Sequence, residues 1–340
     1  MASDATGRES VVLDGVRWPV VDGILWRRRG REPLRARVLA LLDEGDVDEA
    51  RVALLGDADD WWGEPPPPPG QLARVQHAAT LREAMDLLGY GRVGDYFAHR
   101  WSDPTYLAGL ALLEQHWPGE RAVVEVACGI GHFLRELDQR GAGPLVGVDV
   151  VFSKLWLAQR FVCPAARYVC ADVTDGLPPL DLPAPAYVLC IDALYFLRDK
   201  AAAVAAMRAL GETLVVGHAH TPVEVHSSGR PLTPEQYTDL LAADVVYDDD
   251  ELTSAFLQRR APVPGVPTGA RAVALVSGPS GPGPDLSRPV GAVRPNPLYV
   301  DGVRRWPSEL WASEYARAAE YLPPAFAPGP RSHLDLPEAW

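Results

Sequence analysis

From Arg121 to about Gly278, short β-branched runs alternate with segments of helical period, and this alternation restricts the chain to few architectures. The strand candidates are residues 122–126, 145–150, 168–170, 187–191, 213–216, a weak 244–247, and 272–276. A parallel neighbour cannot be reached by a tight turn. Strands separated by helices are therefore joined by crossovers, which implies an α/β fold with a mostly parallel sheet. The last, weaker pair is expected to close the sheet as a hairpin around Leu252 to Leu257.

The flanks read differently. Residues 11–13, 16–21 and 24–28 are separated by Asp14-Gly15 and Asp22-Gly23, which predicts an N-terminal β-meander. The arginine-rich run from Arg27 to Arg31 reads as a solvated strand end rather than a phosphate site. Helical patterns follow over 33–42 and 47–55. Trp61, Trp62 and five consecutive prolines, 65–69, then mark a stiff boundary. Residues 71–117 read as helical, and Pro104 interrupts that pattern or starts it afresh. Beyond Gly278 a Pro/Gly-rich stretch leads into 296–323, where a helical pattern returns. The expected units are 1–63 (meander and short helices), 64–70 (linker), 71–120 (helical lid region), 121–278 (core) and 279–340 (C-terminal extension).

The stretch VVEVACGIGHF, residues 123–133, carries the chemistry. A buried strand ends in Glu125, a glycine-containing turn follows, and a helix starts. Such a turn lets backbone approach a ligand, and the free amides of the helix start favour a polar group. About twenty residues on, LVGVDV ends a strand with Asp149, placed to accept from ribose hydroxyls. A dinucleotide fold wants G-x-G-x-x-G, and both possible frames here break that pattern. An acidic Glu125 before the turn would also repel a pyrophosphate, whereas an ammonium would be welcome there.

The segments VVEVACGIGHF, GVDVVFSKLWLA, CADVTDGLP and YVLCIDALYFL, in that order, resemble the class I S-adenosylmethionine-dependent methyltransferases. The resemblance implies a Rossmann-like, seven-stranded, mostly parallel sheet, with S-adenosylmethionine as methyl donor and S-adenosylhomocysteine as product. It implies that Glu125 orients the methionine moiety and that Ala127, Cys128, Gly129 and Gly131 form the loop beneath the cofactor. Asp149 would bind the ribose with Val150 against adenine, and Asp172 and Val173 would read the adenine. Ile191, Asp192 and Ala193 would face the sulfonium. Ala127 departs from the family, which usually has glycine there. Arg100, in the lid region, is a candidate partner for the methionine carboxylate or a plain helix-surface arginine. The N-terminal meander resembles cysteine-free relatives of small zinc-ribbon domains found beside some methyltransferases.

Methyl transfer is an in-line displacement in which the protein aligns donor and acceptor, excludes water and removes a proton from a hydroxyl or ammonium. In VVGHAHTPVEVH, His218 and His220 are two residues apart and share a face of an extended chain, with Glu224 and His226 following. His218 is the first candidate for a general base and His220 the second. Polar loop residues without chemistry, or a metal site from His218, His220 and Glu224 or His226, are the competing readings, and no metal is expected. Asp192 is a further candidate to accept from an amine or hydroxyl. Tyr195 forms a substrate wall or starts the next helix with a buried ring. Tyr96 and His226 complete the substrate-binding candidates.

Composition bounds the partners. A formal net charge of -13 disfavours phosphate backbones, and no apolar run approaches the ~20 residues that span a bilayer. The N-terminus lacks a signal-peptide layout, and the four cysteines form no CxxC pair, so a reduced, cytoplasmic protein without structural zinc is expected. The acceptor expected is an O or N atom of a small molecule or short peptide in a biosynthetic pathway, with a homodimer as an option. An RNA or protein methyltransferase, a non-catalytic protein of the same fold, and a dehydrogenase are the alternatives. The tryptophans outside the core pack the termini onto it or line an apolar acceptor pocket or peptide groove.

Overall fold

Runs such as VVEV, LVGVD and YVLCI are apolar on both faces and become strands covered by helices on both sides. The computed structural model describes residues 10–58, 65–119, 121–183, 185–224 and 229–340. His226, Trp61 and Trp62 lie outside the described residues. The strands of the main sheet are β1 (Ser10–Leu13), β2 (Val16–Val21), β3 (Ile24–Arg27), β4 (Val123–Val126), β5 (Leu145–Asp149), β6 (Arg167–Ala171), β7 (Tyr187–Ile191), β8 (Thr213–His220), β9 (Val245–Asp248) and β10 (Ala272–Ser277). They lie in the order β1-β2-β3-β6-β5-β4-β7-β8-β10-β9. The seven expected core strands are all present, and the block β6-β5-β4-β7-β8 is parallel.

The meander extends this sheet. Its two Asp-Gly turns take positive φ at both residues, the mirror-image geometry that suits hairpin twist. β3 then pairs parallel with β6, Leu25 opposite Val169. That placement overturns the solvated reading of the first two arginines. Arg27 and Arg28 are 5% and 7% exposed, and they donate to the carbonyls of Gly176 and Val150.

Twelve α-helices surround the sheet among the described residues: α1 (Glu32–Asp43), α2 (Val47–Leu55), α3 (Pro69–Val75), α4 (Leu81–Leu87), α5 (Gly91–His99), α6 (Pro104–His116), α7 (His132–Gln139), α8 (Phe152–Leu157), α9 (Lys200–Leu210), α10 (Pro234–Leu241), α11 (Asp249–Gln258) and α12 (Glu309–Glu314). Pro104 opens α6 at its first turn, where its missing N–H costs nothing, and Asp103 caps the helix by accepting from the Tyr106 amide at 2.7 Å. One apolar layer puts α6 and α7 against Val123, Leu189 and Val215. The other puts α9 and α10 against Val124, Val188 and Val216.

Two connections differ from expectation. β9 and β10 do pair antiparallel, but residues 252–257 belong to α11, so a helix and not a hairpin turn joins them. The LYFL segment does not open the next helix. It forms a turn, and α9 starts at Lys200 behind the Asp199 cap.

In β8, Val216 lies opposite Leu275 and Ala219 opposite Val273, so Gly217 and His218 together face Ala274. This β-bulge, with His218 at φ 48°, shifts the side-chain alternation by one. Val216 and Ala219 therefore share the α9/α10 layer, while His218 and His220 turn into the cavity on the other side.

The C-terminal extension holds two small two-stranded pairs, β11 (Val293–Pro295) with β14 (His333–Asp335) and β12 (Tyr299–Val300) with β13 (Val303–Arg304). The second turns at Asp301-Gly302, a hairpin inside the stretch expected to be helical. The chain end is tied down: Trp340 Nε1 donates to the Ala98 carbonyl at 3.0 Å, and the Leu81 amide donates to Ala339 at 2.7 Å.

Candidate active site

Ala127 after β4, Asp192 after β7 and His218 in β8 all have positive φ, at 56°, 57° and 48°. Non-glycine residues seldom adopt this region, and three of them at neighbouring strand ends mark where backbone strain is concentrated. These strand ends open into one cavity of about 1050 Å³. Ligands of open α/β sheets bind at this edge.

One half of the cavity is built by β4, β5 and β6. Gly129 and Gly131 take φ 54° and 81°, which bends the loop over the strand ends, and a Cβ on Gly129 would press on Phe97 at 3.1 Å. Asp149 fastens that loop by accepting from the Gly129 amide at 3.0 Å, and it also accepts from the Val151 amide. Val150 lines the same half, its carbonyl held by Arg28. Asp172 accepts from the Thr174 amide and hydroxyl, and Val173 is buried beside it. Cys128 is a buried thiol facing the cavity.

Glu125 is 3% exposed and holds one carboxyl oxygen, Oε2, without a hydrogen-bond donor among the described residues. Burial raises its carboxyl to about 8, although Arg100 pulls the other way. A buried carboxyl oxygen without a donor on a cavity wall is a place for a ligand cation or donor.

The other half centres on Asp192. Its Oδ2 accepts from the Tyr96 hydroxyl at 2.9 Å and from Arg100 Nη1 at 3.2 Å, and its Oδ1 accepts from the Tyr195 hydroxyl at 2.9 Å. Burial opposes ionisation of Asp192, but His218, Arg100 and His220, with the Tyr195 hydroxyl, outweigh it and hold the carboxyl below its usual range. Arg100 is 4% exposed and shared between Asp192 and Asp103 at 3.2 and 3.3 Å; it is no surface arginine. Tyr195 is 3% exposed, yet its hydroxyl reaches the site and its ring packs edge-on against His220. Ile191 and Ala193, beside Asp192, also line the cavity.

His218 Nδ1 donates to Asp249 at 2.8 Å, and its Nε2 lies 4.0 Å from Asp192 Oδ1. Burial lowers the basicity of this ring, but Asp249 and Asp192 prevail and raise it to about 9. His220 stands edge-on to it at 4.7 Å between ring centroids. Asp249, at the start of α11, escaped the sequence reading. So did Tyr315, whose ring stacks near Tyr96 at 6.4 Å, and Arg317, both in the C-terminal extension and both lining the cavity. The run Asp248-Asp249-Asp250 after a strand candidate was the available signal for the first; nothing local signalled the other two.

Strand order β6-β5-β4-β7-β8-β10-β9, with β10 antiparallel, Glu125 next to last in β4 and Asp149 last in β5, defines the core around this cavity. Residues 123–214, from the start of β4 into β8, match a family model described as a methyltransferase domain. Residues 123–214 of the chain are a methyltransferase domain. No curated protein matches the methyltransferase by sequence. Among solved structures it is similar to a chain in the complex of the Haloferax volcanii Trm112 methyltransferase activator with a methyltransferase (17% identity, 58% of this chain and 97% of that one, TM-score 0.42). It is also similar to a TehB-like S-adenosylmethionine-dependent methyltransferase from Corynebacterium glutamicum (18%, 51% and 86%, 0.37). A third is CalS10, an amino pentose methyltransferase of calicheamicin biosynthesis from Micromonospora echinaspora (17%, 54% and 94%, 0.37).

Proposed function

We propose that this methyltransferase methylates an oxygen or nitrogen of a small molecule or short peptide in a biosynthetic pathway. The acceptor sits between Asp192 and His218 on one side and residues 313–317 on the other. The observation that carries this reading is the single cavity, in which the Glu125–Asp149 half is continuous with the Asp192–His218 half. Walls drawn from both terminal regions, Arg28 before the core and Tyr315 after it, favour a small enclosed acceptor over a long polymer.

The cofactor half fits S-adenosylmethionine on the chemistry of its donor set. The unpartnered Glu125 Oε2 suits the ammonium of the methionine moiety, Asp149 the ribose hydroxyls, and Asp172 with Val173 the adenine. When bound, the cofactor supplies a methyl carbon activated by the adjacent sulfonium. Asp192, held ionised, accepts the hydrogen bond of the acceptor's O–H or N–H. His218, braced by Asp249 and carrying its proton at neutral pH, positions the acceptor, with His220 behind it. Tyr96 and Tyr195 fix the Asp192 carboxylate and wall the acceptor.

The test is turnover, read as S-adenosylhomocysteine release on screened acceptors. Asp192→Asn and His218→Ala are expected to lower kcat by roughly 10²–10⁴ while leaving S-adenosylhomocysteine affinity within about threefold. Parent turnover in both variants would remove these residues from the reaction.

A further inference from the structure

We propose that Asp192, His218 and His220 form a binding site for one first-row divalent cation of the zinc type, open toward the acceptor half of the cavity. Each of the three residues offers one ligand atom, and these atoms lie within 4.8 Å of one another. A cation held at ~2.0–2.2 Å by two imidazole nitrogens and a carboxylate oxygen needs them roughly 3–3.6 Å apart. His218 Nε2 and Asp192 Oδ1 stand at 4.0 Å and no pair of ligand atoms exceeds 4.8 Å, so side-chain shifts of about 0.5–1 Å each close the set. Three protein ligands with a free position are the arrangement of reactive zinc sites, and two imidazoles with one carboxylate suit zinc or its first-row neighbours over magnesium or calcium.

The surroundings are those of a ligand set. Asp249 accepts from His218 Nδ1 at 2.8 Å, which orients the ring with Nε2 toward Asp192, where a bound cation takes the place of the Nε2 proton. Tyr96 and Arg100 hold the far carboxylate oxygen of Asp192, and Tyr195 holds the near one in place. The bulge at Gly217 and His218 is what turns both imidazoles off the core layer and into the cavity. A histidine pair kept only for packing would have no need of that backbone strain at its first member.

The proposal goes beyond methyl transfer and is tested without it. Full-length protein stripped with chelator is equilibrated with Zn²⁺ and, separately, with Co²⁺, reading metal per chain and the visible absorption of bound Co²⁺. One equivalent per chain with a low-symmetry Co²⁺ spectrum is expected. His220→Ala should weaken binding at least tenfold and Asp249→Asn by about 10–100-fold, and His333→Ala, at the exposed chain end, should leave it unchanged. S-adenosylhomocysteine binding by each variant reports folding and keeps the cofactor reading separate. Less than one equivalent in the parent protein overturns the site. Binding indifferent to both His220→Ala and Asp249→Asn overturns it too, and should His220→Ala not fold, the Asp249→Asn result decides.

Discussion

Glu125 holds a proton at neutral pH because burial lifts its carboxyl to about 8, whereas a bound ammonium needs the carboxylate. Below pH 8, cofactor binding must therefore expel a proton, and affinity must rise as pH rises toward 8. Calorimetry with S-adenosylhomocysteine at pH 7 in buffers of different ionisation heat should show that release. Glu125→Gln should abolish it and weaken binding roughly 10–100-fold, the range of a hydrogen bond to a charged group. Equal heats in all buffers would refute the coupling. Glu125, Asp149 and Asp172, each within one residue of a strand end on the cavity, could be picked out from the strand pattern alone. Asp249 could not: it meets His218 across 31 residues, through the sheet's antiparallel edge. Nothing local in the sequence says that Asp103 and Asp192 share Arg100.

At the scale of elements, α6 depends on its entry. Asp103 caps the helix and pairs with Arg100, both fully enclosed. Asp103→Ala should cost about 2–4 kcal/mol in urea unfolding, from a lost cap of ~1 kcal/mol and a buried guanidinium left with one carboxylate. Asp103→Asn, which keeps the cap, should cost less, and a near-neutral Asp103→Ala would show that the pair contributes little. All ten strands of the main sheet were legible from periodicity and Asp-Gly turns, because burial on both faces leaves an unbroken apolar run. The β8 bulge was not, since an extra residue in a strand has no mark in one sequence. The Asp301-Gly302 hairpin carried the same signal as the N-terminal turns, but its strands of two residues are too short to show alternation.

For the whole molecule, buried titratable groups set the pH dependence. His99 and His132 are lowered to about 3 by burial, and His132 donates from Nε2 to the Phe97 carbonyl. Their unfolded forms take up protons near pH 6.5, so stability falls as pH drops below that value toward 3. Glu125 works in the opposite sense: its folded form keeps a proton that the unfolded chain loses above about 4.5, so stability declines as pH rises toward 8. Asp103, raised to about 6 by burial, offsets part of the histidines' acid limb, and His218, raised to about 9, loses its contribution as pH rises above 6.5, so Tm is highest near pH 6.5 and falls most clearly above it. His132→Gln should flatten the acid limb and Glu125→Gln the alkaline one; a Tm that climbs steadily to pH 8 would contradict this. Tyr315 and Arg317 of the extension line the cavity with Asp192 and His218, so with the acceptor placed as proposed Tyr315→Ala should raise its KM several-fold and spare S-adenosylhomocysteine affinity. A change in cofactor affinity alone would place the extension elsewhere in the reaction.

The most direct measurement is isothermal titration of the full chain with S-adenosylhomocysteine, beside Asp149→Ala and with carried-over ligand excluded by mass spectrometry. One-to-one binding, weakened at least tenfold by the substitution, is the predicted result. No binding, or binding that ignores Asp149, would contradict the cofactor site and with it the assignment of the cavity to methyl transfer.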